Sequence, residues 1–139
     1  MIDVSGKPPV FRTARAEGVV RMRAETALAI REGRVPKGDV LGTARVAGIM
    51  AAKRTPEFIP LCHPITLTYV EVDLKTGRDA VQIEVLTRAV DKTGVEMEAL
   101  TAVAAACLSV YDMCKGIDPE MTIGPIRLVE KTKEPVPET

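Results

Sequence analysis

The chain has one histidine, His63, in the segment Ile59-Pro60-Leu61-Cys62-His63-Pro64. Each proline fixes its own φ and restricts the residue before it, so the segment is stiff and extended. Rigid loops are where a scaffold presents binding groups. Neighbouring side chains in an extended segment point to opposite sides, so Cys62 and His63 do not form a catalytic pair. One histidine and three scattered cysteines, at 62, 107 and 114, lack the ligand spacing of a zinc site. The plain alternative is a polar histidine at a strand entry.

Lys37, in Val35-Pro36-Lys37-Gly38-Asp39, precedes a helix N-terminus, where free N–H groups attract an anion. There is no GxxxxGK[ST], so this is no P-loop, and the alternative is a solvated loop lysine. Glu96 and Glu98 open a long helix, in Gly94-Val95-Glu96-Met97-Glu98. The helix dipole accounts for one of them. Two residues apart, they project from different sides and do not make a matched acid/base pair. Asp112 and Lys115 close the same helix, spaced i, i+3 on a face that continues the stripe Thr101, Ala105, Leu108. If partly buried, such a pair shifts its own pKa values, and a desolvated lysine becomes a base. The alternative is an end-of-helix salt bridge beside a C-cap glycine, Gly116.

The elements that must position these groups follow from periodicity. Residues 1–9 read as an extended arm. Gly18 to Ala24 alternates as a strand. A helix over Thr26–Arg34 ends at Gly33, and a second runs from an Asp39 cap to about Arg54, stopped at Thr55-Pro56. Strands over Ile65–Leu74 and Val81–Val85 flank a turn at 75–79 and form an antiparallel hairpin. The longest helix covers about Val95–Lys115, and a last strand Ile123–Lys131 precedes a flexible tail, 132–139. With the first helix as an insertion, the order gives an α+β, ferredoxin-like βαββαβ sandwich in one domain, 1–139. Helices then cover one sheet face, and the only partly polar other face predicts a homo-oligomer.

Composition sets the outer bounds. The chain has 139 residues, 46% hydrophobic and 27% charged, which fits a folded domain. Nineteen basic residues balance nineteen acidic ones, so there is no basic excess for nucleic acid. At 3% aromatic content there is no base-stacking platform either. The most apolar stretch, Ala99–Tyr111, is short for a membrane span. No signal peptide is visible, and unpaired thiols suit a reducing, cytoplasmic setting.

Five blocks carry a resemblance: Lys37-Gly38-Asp39-Val40, Ala51-Ala52-Lys53-Arg54-Thr55, Ile59–Pro64, Lys92–Leu100 and Tyr111–Lys115. In order and interval they resemble the molybdenum cofactor biosynthesis protein C family, the cyclic pyranopterin monophosphate synthases, from Ile2 to Leu128. The resemblance implies a phosphorus–oxygen lyase. It would rearrange a 3′,8-cyclised dihydro derivative of GTP to cyclic pyranopterin monophosphate with loss of pyrophosphate. It implies a ferredoxin-like fold and a hexamer, a trimer of dimers, with the site at a subunit interface. By position, Asp112 matches the active-site aspartate and Lys37 and Lys115 the lysines needed for chemistry. Leu61, Cys62, His63, Met97 and Glu98 match substrate-contacting segments, and Arg12, Lys53, Glu96 and Lys131 surrounding polar positions. No metal site or cofactor is expected, beyond Mg²⁺ travelling with the triphosphate or pyrophosphate. On the residues alone, a non-catalytic module that binds a metabolite at an interface is the rival reading.

Overall fold

The computed structural model describes residues 1–138. In chain order it contains β1 (Val10–Arg21), α1 (Ala24–Arg31), α2 (Val40–Lys53), β2 (Leu67–Thr76), β3 (Ala80–Asp91), α3 (Glu96–Cys114) and β4 (Thr122–Glu134). A short 3₁₀ turn, Thr55–Glu57, follows α2. The four strands form one antiparallel sheet in the order β2-β3-β1-β4. This is the expected ferredoxin-like α+β order, with α1 as the extra helix.

Alternation builds the sheet's inner face. Ala14, Ala16, Gly18 and Val20 of β1 stand opposite Thr87, Val85, Ile83 and Val81 of β3. Val72 and Leu74 of β2 continue the same face. Helix α3 lies directly on it. A side chain at Gly18 would meet Val103 Cγ1 at 2.5 Å and Cys107 Sγ at 3.3 Å, so only glycine permits this approach. Helix α2 packs beside α3 through Ala44, Gly48 and Ala52, and a Cβ at Gly48 would sit 3.2 Å from the Ala102 carbonyl. Small residues let the helices lie close, and the valines of α3, Val103 and Val110, are fully buried. Each such burial contributes roughly 1.5–3 kcal/mol.

Several boundaries differ from those read in the sequence. β1 begins at Val10 rather than Gly18, because its inner positions are small alanines that carry little apolar signal. β3 runs on to Asp91, and β4 runs to Glu134, paired to Phe11. Residues 132–134 therefore belong to the sheet and not to the tail; Thr139, also placed in that tail, lies outside the described residues. α1 starts at Ala24 because Asp118, distant in sequence, caps it. Its carboxylate accepts from the Arg23 N–H at 2.9 Å and the Thr26 hydroxyl at 2.8 Å. Burial pushes the Asp118 carboxyl up, but these donors, the Glu120 N–H and the Arg23 charge hold it below the ordinary value. Gly33, at φ +68°, ends α1 as expected, with Arg34 N–H donating to the Ala29 carbonyl at 2.8 Å. Gly116 does not act this way. Among the described residues only Gly33, Gly38 and Gly124 have positive φ, so α3 ends at a turn in which Ile117 and Asp118 donate to the Cys114 carbonyl.

The outer sheet face is more charged than expected. Arg15 pairs with Glu130 at 3.2 Å and Arg127 with Glu17 at 2.6 Å, and Arg88 lies over the Tyr69 ring. Tyr69, Val90 and Val129 of the strands are exposed, but the helical side carries more large exposed apolar side chains, among them Phe58 at 55% and Leu108 at 61% exposure. α3 falls within the Val95–Lys115 span read in the sequence. Its 19 residues and mean hydropathy of 1.3 meet the length and composition of a membrane-crossing helix. Its position on the sheet, with a buried face and Glu98 within it, makes it the core helix here.

Candidate active site

The structure divides the candidate residues between the two ends of α3. Glu98 and Lys115 are seventeen positions apart in sequence, about 25 Å at 1.5 Å per residue. One chain therefore does not bring all of them together.

The C-terminal end holds Lys37, Asp112 and Lys115. α2 runs antiparallel to α3, so the loop before α2 meets the end of α3. Gly38, at φ +111°, makes the turn that aims Lys37. Lys37 Nζ donates to the Asp112 carbonyl at 3.0 Å and to its carboxylate at 3.3 Å. Lys115 Nζ reaches the other carboxylate oxygen at 2.9 Å. One carboxylate thus holds two ammonium groups. The hydrogen bond from Lys115, then that from Lys37, then their charges keep the Asp112 carboxyl below the ordinary value. All three side chains are about half exposed, not the partly buried set that would tune a lysine within one chain. Lys37 does not form the candidate anion site at the α2 N-terminus; it turns to Asp112. Asp39 itself accepts from the Gly42 N–H at 3.0 Å.

The N-terminal end holds a cavity of about 350 Å³ between two walls. One wall is the proline-braced loop with Leu61, Cys62 and His63; the other is Thr93–Glu98, including Met97. The second wall is tied down by Arg12, donating to the Lys92 carbonyl at 3.0 Å, and by Thr87, donating to the Val95 carbonyl at 3.1 Å. Glu98 is 2% exposed, and neither carboxylate oxygen has a hydrogen-bond partner among the described residues. Burial, which outweighs the lowering influence of its own main chain, pushes its carboxyl up to about 7; Glu96 and Asp91 add to the rise. Gly94 and Glu96 also line a second cavity of about 300 Å³, shared with Arg12, Lys131 and Lys133. Lys131 lies 3.7 Å from Glu96. Glu96 and Glu98 do part, as their spacing predicts: one turns to a lysine, the other into the pocket. Lys53 ends α2 at this same end of the molecule and is exposed.

The result is a chamber with a buried titratable carboxyl, joined to a cation-lined chamber. The first suits a flat heterocycle and proton transfer, the second a polyphosphate. Lys133 does not stand out in the sequence; its signal lies in the strand register, where it pairs with Arg12. The polar groove lined by Arg21, Glu84 and Arg127 on the outer sheet face lies away from these groups.

Burial, together with the Glu98 charge, raises the Cys62 thiol, and burial pushes Cys107 up to about 11. A thiol held in its neutral form is a poor nucleophile. Replacing all three cysteines by Ala or Ser is therefore expected to leave substantial turnover in assembled protein. Complete loss of turnover from the Cys62 replacement alone, with folding intact, overturns this.

Residues 1–134 match the MoaC family. The chain is 60% identical over 134 residues to the cyclic pyranopterin monophosphate synthase of Roseiflexus sp. (strain RS-1), covering 95% of this chain and 85% of that one. It is 59% identical over 133 residues to the protein of that name from Thermomicrobium roseum, covering 94% and 80%. Against the one from Pelotomaculum thermopropionicum it is 56% identical over 134 residues, covering 95% and 79%.

Proposed function

Because this chain belongs to the MoaC family, we propose that it is a lyase of molybdenum cofactor biosynthesis. It makes cyclic pyranopterin monophosphate, the product in its relatives' name, from the 3′,8-cyclised dihydro derivative of GTP, and releases pyrophosphate. The observation that carries this reading is the double chamber at Glu96, with an unpartnered buried carboxyl on one side and three cations on the other.

Ring opening and reclosure need protons moved to and from the heterocycle. Glu98, with its carboxyl at about 7, exists in both forms near neutral pH and suits that task. Cyclic phosphate formation needs a sugar-derived hydroxyl to attack the α-phosphorus while the bond to the bridging oxygen of the β-phosphate breaks. The hydroxyl proton goes to a base, and the departing pyrophosphate carries negative charge. Arg12, Lys131 and Lys133 stabilise that charge. Leu61, Cys62, His63 and Met97 position the substrate. Lys115 and Lys37, held by Asp112, exchange protons with the rearranging substrate or stabilise its charge. No resident cofactor is required by these steps, and Mg²⁺ accompanies the triphosphate or pyrophosphate. Three cysteines unpaired in the structure accord with a reducing cytoplasm.

The lysine cluster and the substrate chamber lie at opposite ends of α3, so the working site takes its parts from two chains. Between them the exposed side of α3 is apolar through Leu100, Ala104, Ala105 and Leu108, flanked by Phe58. A second copy laid antiparallel on this stripe carries its Lys115 end to the Glu98 end of the first, and the reverse. Three such dimers make the hexamer.

Incubation with the cyclised nucleotide tests the reaction. Release of pyrophosphate with formation of the pterin supports the lyase; tight binding without turnover supports the rival binding module. Mixing tests the assembly. Glu98→Ala and Lys115→Ala homo-oligomers are each expected to be nearly inactive, while co-assembled mixtures regain activity through sites that draw neither defect. Mixtures as inactive as their parents, or a 15 kDa species in sedimentation across the micromolar range, overturn the shared site.

A further inference from the structure

We propose that residues Ile2–Ser5 form a strap that positions His63 across the substrate pocket, anchored by the main-chain carbonyls of Ile2 and Ser5. This rests on reading that pocket as the substrate site. His63 Nε2 lies 2.7 Å from the Ile2 carbonyl oxygen. A carbonyl only accepts, so Nε2 carries the proton, and in the neutral ring Nδ1 is the remaining acceptor. Three residues on, the Ser5 carbonyl accepts from Lys92 Nζ at 3.4 Å. His63 belongs to one wall of the pocket and Lys92 adjoins the other, so the arm spans the two.

The strap has a shape of its own. Asp3 Oδ1 accepts from the Ser5 N–H at 2.9 Å, and the Lys7 N–H donates to the Val4 carbonyl at 3.0 Å. These are the marks of a built turn. Its side chains do not hold it by burial, since Ile2 is 78% exposed.

The wall that the strap reaches needs such a tie. Pro60 and Pro64 offer no N–H, and the Cys62 N–H donates within its own loop, to Ile59. At the loop's far end, the Thr66 N–H reaches Asp91 at 3.4 Å. The opposite wall is already fixed, through Arg12 to the Lys92 carbonyl. The strap therefore ties the loosely held wall to the fixed one, at the ring that faces the ligand. Ile2 and Ser5 act through His63 and Lys92 and are positioning residues.

Two variants test this: Asp3→Ala, which unlocks the turn, and a chain lacking residues 2–5. Each is compared with the parent protein, and again in a His63→Ala background. The first readout is the rate of Cys62 alkylation by iodoacetamide, followed by mass; Cys107 and Cys114 are buried and leave Cys62 as the reporter. Loss of one such hydrogen bond corresponds to about three- to tenfold in an equilibrium, and that is the expected rise in alkylation rate. The KM for the cyclised nucleotide is expected to rise by a similar factor, with kcat changing less. In the His63→Ala background the tie to that wall is already cut, so the effects on alkylation and on KM are both expected to vanish. Unchanged alkylation in the shortened chain overturns the strap. A KM penalty that persists in full without His63 overturns its action through that residue. If the parent protein makes no pterin at all, the reading of the reaction falls, and the alkylation rates still decide the strap.

Discussion

Lys115→Ala is expected to lower turnover of the cyclised nucleotide by about 10²–10⁴, the usual worth of a positioned proton-transfer group. Asp112→Asn is expected to lose activity as well, because one carboxylate orients both Lys115 at 2.9 Å and Lys37 at 3.3 Å. The amide keeps an acceptor but removes the charge. Stability should barely register either change. All three side chains are about half exposed, and exposed ion pairs contribute little to folding. An unchanged unfolding midpoint with lost activity therefore separates chemistry from folding. Residues that act as a unit give strongly non-additive losses, so the double variant should be little worse than the poorer single one. Single-turnover conversion by the two singles and the double measures this. Multiplying losses would mean independent roles. Near-normal turnover in Lys115→Ala would reduce the cluster to a salt bridge at a helix end.

Glu98→Gln is expected to move stability and activity in opposite directions above neutral pH. The Glu98 carboxyl is raised from 4.5 to about 7, by burial first. In the unfolded chain it ionises near 4.5; in the folded chain it keeps its proton to about 7. The native state therefore holds more protons across that window, and stability falls as pH rises from about 4.5 to 7. Above 7 the deficit is complete, of order 3 kcal/mol for this interval. Glutamine has nothing to titrate. The stability of the Glu98→Gln chain should stay level where the parent declines, and relative to the parent it should gain most near pH 8. Urea unfolding at fixed protein concentration, at pH 5, 6, 7 and 8, reads the difference. A partner's Lys115 at the pocket would pull the carboxyl down and flatten the parent's slope, which should then steepen in Lys115→Ala. Parallel profiles for the parent and the Glu98→Gln variant in both backgrounds would show that the carboxyl does not titrate with folding. Turnover in Glu98→Gln should drop sharply, since an amide transfers no proton.

Much of the fold was legible because its strongest signals are local. Alternation in Val70–Leu74 and Val81–Val85 marks the hairpin, Asp39 caps α2, and apolar residues at helical spacing mark α3. β1 was half hidden because Ala14 and Ala16 face inward without looking hydrophobic. The last residues of β4 were hidden because a polar edge strand resembles a tail. Capping of α1 by Asp118 could not be read, as the two lie far apart in the chain. The residue types of the site were also legible. Asp112 and Lys115 share a face by spacing, and Pro60 and Pro64 mark a stiff loop. The contact of Lys37 with Asp112 depends on the antiparallel course of α2 and α3, which no local pattern encodes. Nor does local pattern show that Glu98 lacks partners; that follows only when α3 is laid on the sheet.

β1 lies between β3 and β4, and its Phe11 is paired with Glu134. During translation, β1 leaves the ribosome before both strands that pair with it, and one of its two edges stays open until residues 122–134 have emerged. The nascent chain thus carries a central strand with one bare edge between the making of β3 and that of β4. Open edges of this kind are templates for pairing with other chains. A ribosome stalled after α3 would hold the helices and the hairpin with that edge bare, and the product would be prone to join its neighbours strand to strand. Of the described strands β4 is made after the rest, so completion of the sheet waits for residues 122–134.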